Sequence, residues 1–315
     1  MGMFHCPFGN PYYDCDGCID CEMCLATTKE EMIAASKRIR EYLKSHNKNS
    51  GVVRKIAVCG KGGTGKSTIV TLMAHVLRAE GHSVLLMDTD ESNPGLFRLC
   101  GFKKEPLPLM TLLNRLSAAQ PRPDIEWLKR DQITIEDIPA EHVIHCDGLT
   151  FLMVGKIEDP FQGCACFLAE VTRNIVEKLV IKDREVLLID MEAGVESFGR
   201  GVERSVDTVL VVVEPSFESR VLAERIHYMA EGMGIGRVRA ILNKVPSAEI
   251  RQKMSDELAR KNITAIGTIY FDPQVSEASF EGSPLGDSTA RDDMKVITKA
   301  LLGEAGSFLE SNPTT

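Results

Sequence analysis

The run Gly60-Lys61-Gly62-Gly63-Thr64-Gly65-Lys66-Ser67-Thr68 joins flexible glycines to a lysine and two hydroxyls. Glycines let a backbone wrap a phosphate chain with its N–H groups facing inward, and Lys66 adds a mobile positive charge for the β and γ phosphates. Ser67 is then the hydroxyl expected on Mg2+, with Thr68 beside it. Carboxylates to complete such chemistry stand at Asp88-Thr89-Asp90 and at Asp190, each after an apolar run. Asp88 and Asp90 are expected to face the γ phosphate and Asp190 to reach Mg2+ through water. Gly194 leaves room for its N–H to meet the γ phosphate. The chemistry within reach of these residues is hydrolysis of a nucleoside triphosphate.

Cysteines form a second chemical set. Gly163-Cys164-Ala165-Cys166 gives one chain two thiolates, whereas zinc and iron–sulfur clusters usually take four protein ligands. The pair is therefore expected to share a metal with a second copy across a two-fold axis; two buried thiols are the alternative. Cys15, Cys18, Cys21 and Cys24 fall at even C-x-x-C spacing, close to the run that wraps a cluster in bacterial ferredoxins. A 4Fe-4S cluster is the first expectation and zinc the second, with Cys6 as a substitute fourth ligand for Cys24 and a metal-free tail as the alternative. Cys59, Cys100 and Cys146 stand singly and read as structural.

These groups need elements to position them. From Val53 onward, apolar runs of strand length alternate with longer helical stretches, the pattern of a parallel sheet covered by helices. Strands are expected at Lys55 to Cys59, Ser83 to Met87, Leu149 to Val154, Glu185 to Ile189, Thr208 to Val213, Arg239 to Leu242 and Ala265 to Tyr270. Helices are expected at Lys66 to Ala79, Cys166 to Glu177, Glu218 to Glu231, Ala248 to Arg260 and Arg291 to Leu302. The glycine loop then lies between strand and helix, and the carboxylates lie at strand C-terminal ends, where open α/β sheets bind ligands. Upstream, Thr28 and Glu31 form a capping-box pattern, followed by Met32, Ile39 and Leu43 at helical spacing and a polar run from Ser45 to Gly51. The chain thus divides into a cysteine-rich segment (1–27), a helix and linker (28–51) and one nucleotide domain (52–315). No internal repeat is present, and residues 102–144, with several prolines and scattered charges, give no clear pattern.

Lys61 narrows the reading, because an ordinary phosphate loop needs no lysine just after its first glycine. The segment resembles the deviant Walker A loop of the group containing the nitrogenase iron protein, MinD, ParA and Mrp. That resemblance implies that Lys61 reaches across a dimer to the partner's nucleotide, that Asp90 orients the attacking water and that Asp88 supports the Mg2+ shell. It also implies that Asn243 reads the adenine edge, with the loop at Asp272 and Pro273 lining the base. GTPases of related fold carry Asn-Lys-x-Asp, whereas Val245-Pro246 follows Asn243-Lys244 here, which favours ATP.

Three blocks sharpen the likeness: the glycine loop, Gly163 to Cys166, and Asp190-Met191-Glu192-Ala193-Gly194-Val195-Glu196-Ser197-Phe198-Gly199-Arg200-Gly201. They resemble the CooC-type ATPases that mature nickel carbon monoxide dehydrogenase, over roughly Lys55 to Leu302. The implied fold is an α/β P-loop NTPase with a mostly parallel central sheet flanked by helices, plus the small N-terminal cysteine-rich metal-binding segment. The implied function is a nucleotide-switched homodimer that hydrolyses ATP, binds nickel or zinc at Cys164 and Cys166 and serves a client dehydrogenase. Two departures stand out: Ser197 occupies a position where that family often carries His, and its compact members lack the cysteine extension.

Other functions fit less well. A net charge of -8 and a pI near 5.5 oppose binding to nucleic acid or an anionic membrane, and a positioning ATPase would need a basic amphipathic helix at its C-terminus. With no apolar run long enough to span a bilayer and no signal-peptide pattern, the cytoplasm is the expected compartment. An iron-protein-like reductase takes its bridging ligands from two widely separated cysteines per chain, and a scaffold of the Mrp type carries its cysteine pair after the switch. Here the pair is a single C-x-C motif that precedes Asp190.

Overall fold

The computed structural model describes residues 53–90, 95–114, 126–155, 165–195, 198 and 205–310, together with 28, 30, 31, 34, 35, 37 and 38. Cys6, Cys15, Cys18, Cys21, Cys24 and Cys164 lie outside the described residues, and with them the expected cluster and half of the C-x-C pair.

In chain order the elements are β1 (Lys55–Gly60), α1 (Lys66–Ala79), β2 (Ser83–Asp88), α2 (Leu96–Leu99), α3 (Met110–Asn114), β3 (Val143–Cys146), β4 (Leu149–Met153), α4 (Ala165–Lys178) and β5 (Glu185–Asp190). They continue with β6 (Thr208–Val213), α5 (Phe217–Gly232), β7 (Arg237–Val245), α6 (Ala248–Ala259), β8 (Thr264–Tyr270), α7 (Pro273–Glu281) and α8 (Thr289–Glu310). The strands form one sheet ordered β3-β4-β2-β5-β1-β6-β7-β8, parallel throughout except where β3 returns against β4.

Alternation along each strand divides the core in two. Ala57 and Cys59 of β1 join one apolar cluster with Ile175 of α4, Ile226 of α5 and Leu258 of α6. Ile56 and Val58 join the other with Leu72 and Met73 of α1 and Ile297 of α8. Every residue of β6 is buried, as a central strand covered on both faces requires. In α1, Ile69, Leu72, Met73 and Val76 recur at helical spacing and are buried, each such side chain stabilising the fold by about 1.5–3 kcal/mol. The helix stops where the N–H groups of Glu80 and His82 turn back onto the carbonyls of Val76 and Leu77. Ser216 and Ser247 start α5 and α6 by accepting from the N–H groups of Ser219 and Ile250.

Several boundaries differ from expectation. β3 and the three short 3-10 turns at Glu126–Lys129, Ile135–Asp137 and Ala140–His142 occupy part of the unpatterned stretch, in pieces too short to show a period. β7 runs two residues earlier and three later than the apolar run alone suggests. Asp272 and Pro273 are not a loop: they are the N-cap and first residue of α7, whose lack of buried positions hid it. The capping box at Thr28 is present, with the Thr28 N–H donating to Glu31 at 3.0 Å and the Glu31 N–H to Thr28 Oγ1 at 3.2 Å. Among the described residues, no helix is long and apolar enough to cross a membrane.

Candidate nucleotide site

A pocket of about 530 Å3 opens at the carboxyl edge of the sheet, where β1 passes into the glycine loop. Gly62, Gly63, Gly65, Lys66, Ser67 and Thr68 line one end, and Leu72, Leu99, Ile269, Val275 and Ala290 give the other an apolar wall. Such a division suits a polyphosphate joined to a flat base.

The loop is held from outside. At Gly60, a Cβ would stand 2.7 Å from the Val212 carbonyl, so only glycine lets the chain leave β1 this close to β6. Thr64 Oγ1 donates to the Lys61 carbonyl at 2.8 Å and closes the turn. Gly65 caps α1 at φ 93, and a Cβ there would lie 2.5 Å from Asn243 Nδ2, which donates to the Thr64 carbonyl at 2.7 Å. Asn243 thus fastens the loop while lining the pocket.

The carboxylates converge below the loop. Asp88 and Asp190 are paired across β2 and β5, and Asp88 Oδ1 accepts from the Asp90 N–H at 3.1 Å. All three are buried, as is Lys66, and Asp90 lines the pocket. Ser67 Oγ donates to Asp190 Oδ2 at 2.6 Å, while Asp190 Oδ1 is buried without a hydrogen-bond partner. Burial first and the neighbouring Asp88 second push the Asp190 carboxyl up to about 7, against the opposing pull of Ser67 and Lys66. An orphaned oxygen, a hydroxyl and two adjacent carboxylates fit Mg2+, which Ser67 and Asp190 would hold. Bound there, the ion would supply positive charge to neutralise the phosphates of a nucleotide. The Gly194 N–H donates to the Gly60 carbonyl at 3.2 Å, which ties the segment after Asp190 to the start of the loop.

Lys61 does not line this pocket. Its Nζ lies 3.3 Å from Glu214 Oε1, at the end of β6, with the side chain 38% exposed. Asp272 lines the apolar end, but its carboxylate is engaged by the Gln274 N–H, the Ala290 N–H and the Thr289 hydroxyl. Pro273 opens α7 and is not among the lining residues. Tyr270, Phe271, Lys244, Ser276 and Ser279 also line the pocket. They went unassigned because they come from β8, the end of β7 and a helix with no sequence period of its own. Cys166 is the second residue of α4, on the connection leaving the carboxyl end of β4.

A family profile described as CbiA, the CobQ/CobB/MinD/ParA nucleotide binding domain, matches residues 55–285. The chain belongs to this family. The ATP-binding protein MJ0084 of Methanocaldococcus jannaschii is 33% identical over 253 residues, covering 78% of this chain and 100% of the relative. The carbon monoxide dehydrogenase accessory protein CooC of Rhodospirillum rubrum is 31% identical over 268 residues, 80% of this chain and 97% of the relative. In fold, the chain is similar to the septum site-determining protein MinD of Pyrococcus horikoshii, complexed with Mg-ADP, at a TM-score of 0.61 and 17% identity. That match covers 81% of this chain and 98% of MinD. This member of the CobQ/CobB/MinD/ParA family is an ATP-binding P-loop ATPase.

Proposed function

We propose that this ATPase works as a nucleotide-switched dimeric metallochaperone that carries nickel to a carbon monoxide dehydrogenase. The observation that carries this reading is the similarity to CooC along nearly the whole length of that accessory protein, combined with the Cys164-Ala165-Cys166 motif in the sequence, whose second cysteine falls in the first turn of α4. Two chains contribute four thiolates to one cargo ion, either nickel or zinc. Asp90 orients the attacking water, Asp88 supports the Mg2+ shell, and Lys61 completes the partner's site. Lys61 turned toward Glu214, away from its own pocket, agrees with a role in the opposite subunit. Residues 1–27 form a separate cysteine-rich unit with a 4Fe-4S cluster on Cys15, Cys18, Cys21 and Cys24 or Cys6, ahead of the helix and linker at 28–51 and the ATPase domain at 52–315.

The test is metal analysis of anaerobically purified full-length chain, with and without MgATP. The expected result is about one nickel or zinc per two chains, lost in Cys164→Ser and Cys166→Ser while iron is retained. A chain that stays monomeric with MgATP and binds the same nickel without these cysteines overturns the proposal. A reducible cluster that needs Cys164 and Cys166 would point instead to an ATP-driven reductase.

A further inference from the structure

Lys244 follows Asn243 near the end of β7, with its backbone at φ 56, in the left-handed region that a lysine rarely adopts. Its Nζ donates to the Gly63 carbonyl at 2.6 Å, next to the bond from Asn243 Nδ2 to the Thr64 carbonyl at 2.7 Å. Successive residues of a strand point to opposite faces, so two neighbours cannot ordinarily reach one loop. Here the register between β7 and β8 shifts between Leu242 and Val245, and the left-handed residue lies inside that irregularity. The distortion lets Asn243 and Lys244 grip consecutive carbonyls of the phosphate loop.

We propose that Lys244 is a positioning residue for ATP binding and hydrolysis. A peptide's C=O and N–H point in opposite directions, so holding the Gly63 and Thr64 carbonyls outward directs the Thr64 and Gly65 N–H groups into the loop. The Thr64 N–H donates to the Lys61 carbonyl at 3.3 Å and so holds the turn between these residues. The aliphatic stem of Lys244 lies over Gly65, with Cε 3.9 Å from the position of an added Cβ, and the residue lines the nucleotide pocket. Loss of the ammonium frees the Gly63 carbonyl to rotate toward the phosphates, where its negative end opposes binding.

The experiment measures MgATP and MgADP affinity, steady-state hydrolysis and thermal midpoint on the full chain. Lys244→Met keeps the stem and removes the donor. It is expected to weaken nucleotide binding about ten- to a hundredfold, the loss of one charge-assisted hydrogen bond, with KM rising more than kcat falls. Lys244→Arg recovers most of that affinity. Lys244→Gly relieves the left-handed backbone, so its nucleotide-free midpoint stays at or above that of the native chain while its affinity falls with that of the methionine variant. Opposite movement of stability and affinity separates positioning from general destabilisation. Either a folded Lys244→Met chain or a Lys244→Gly chain that binds MgATP within twofold of native overturns the proposal. Nickel does not enter these readouts, so the result stands apart from the metallochaperone reading.

Discussion

Asp88 and Asp190 stand side by side at the carboxyl ends of β2 and β5, both buried, with the Ser67 hydroxyl bridging upward from the start of α1 to Asp190. Two adjacent carboxylates without water repel each other unless a proton or a cation lies between them. A cation held there would relieve that repulsion, and the hydroxyl of Ser67 ties this carboxylate pair to the end of the glycine loop.

The first prediction concerns pH. The Asp190 carboxyl is raised to about 7 in the folded chain by burial and then by Asp88. Between the ordinary carboxylate range and about 7, the native state retains a proton that the unfolded chain has lost. Its contribution to the stability of the nucleotide-free protein is full at acid pH and disappears as pH rises through about 7. Mg2+ needs the ionised form, so the gain in thermal midpoint from MgADP should grow from pH 6 to pH 8 and then level. In Asp190→Asn that gain should be small and flat, and hydrolysis should fall by about a hundredfold or more. A Mg2+ increment independent of pH in the native chain contradicts this account.

The second follows from the direction of Lys61. Because its ammonium meets Glu214 and not its own pocket, Lys61→Ala should bind MgADP like the native chain yet hydrolyse ATP at least about a hundredfold more slowly. Under the dimer proposal, mixing inactive Lys61→Ala with inactive Asp190→Asn restores part of the activity, since one site of each mixed dimer is complete. Mixtures as inactive as their components argue against a trans role.

The third tests the fit between Gly65 and Asn243. In Gly65→Ala, a methyl group would meet Asn243 Nδ2 at 2.5 Å and hold alanine at φ 93. The left-handed backbone alone costs about 1–2 kcal/mol, and the displaced Asn243 releases the Thr64 carbonyl. Calorimetric MgADP binding should fall by at least about tenfold while far-UV circular dichroism remains native.

The fourth concerns Asp272. Burial pushes its carboxyl up, but the hydrogen bonds from Thr289, Ala290, Gln274 and Val275 outweigh that and hold it below its ordinary value. Its contribution to stability is therefore present at neutral pH and lost as pH falls through the depressed value. Asp272→Ala removes the N-cap of α7 and its tie to the start of α8 and should cost about 1–3 kcal/mol in denaturant unfolding at pH 7. The difference between variant and native should shrink on acidification; a constant difference would mean that the charged carboxylate is not what holds the two helices.

The fifth separates two cysteines. Burial pushes the Cys100 thiol up to about 12, with its Sγ 3.3 Å from Thr71 Oγ1, whereas Cys146 is exposed on β3. Iodoacetamide at pH 8 should alkylate Cys146 and spare Cys100 until the chain unfolds, as read by peptide mass spectrometry. Early modification of Cys100 in the folded chain would show that α1 and α2 part readily.

The sequence alone carried the loop from Gly60 to Thr68, the carboxylates at Asp88 and Asp190, and the alternation of strands and helices. A phosphate loop is local chemistry written in consecutive residues, and a buried parallel strand is a continuous apolar run. It also named Asn243 and Asp272 as pocket residues through resemblance, without the bonds they make. Only the tertiary structure decided those bonds: Asn243 and Lys244 lie about 180 positions from the carbonyls they hold, and Asp272 spends its oxygens on two helix starts. The pairing of Asp88 with Asp190 across more than 100 positions, and the turn of Lys61 toward Glu214, arise only once the sheet order is set. Spacing along a chain records what neighbours can do together, whereas burial, strand register and the raised proton affinity of Asp190 depend on which distant groups the fold brings together.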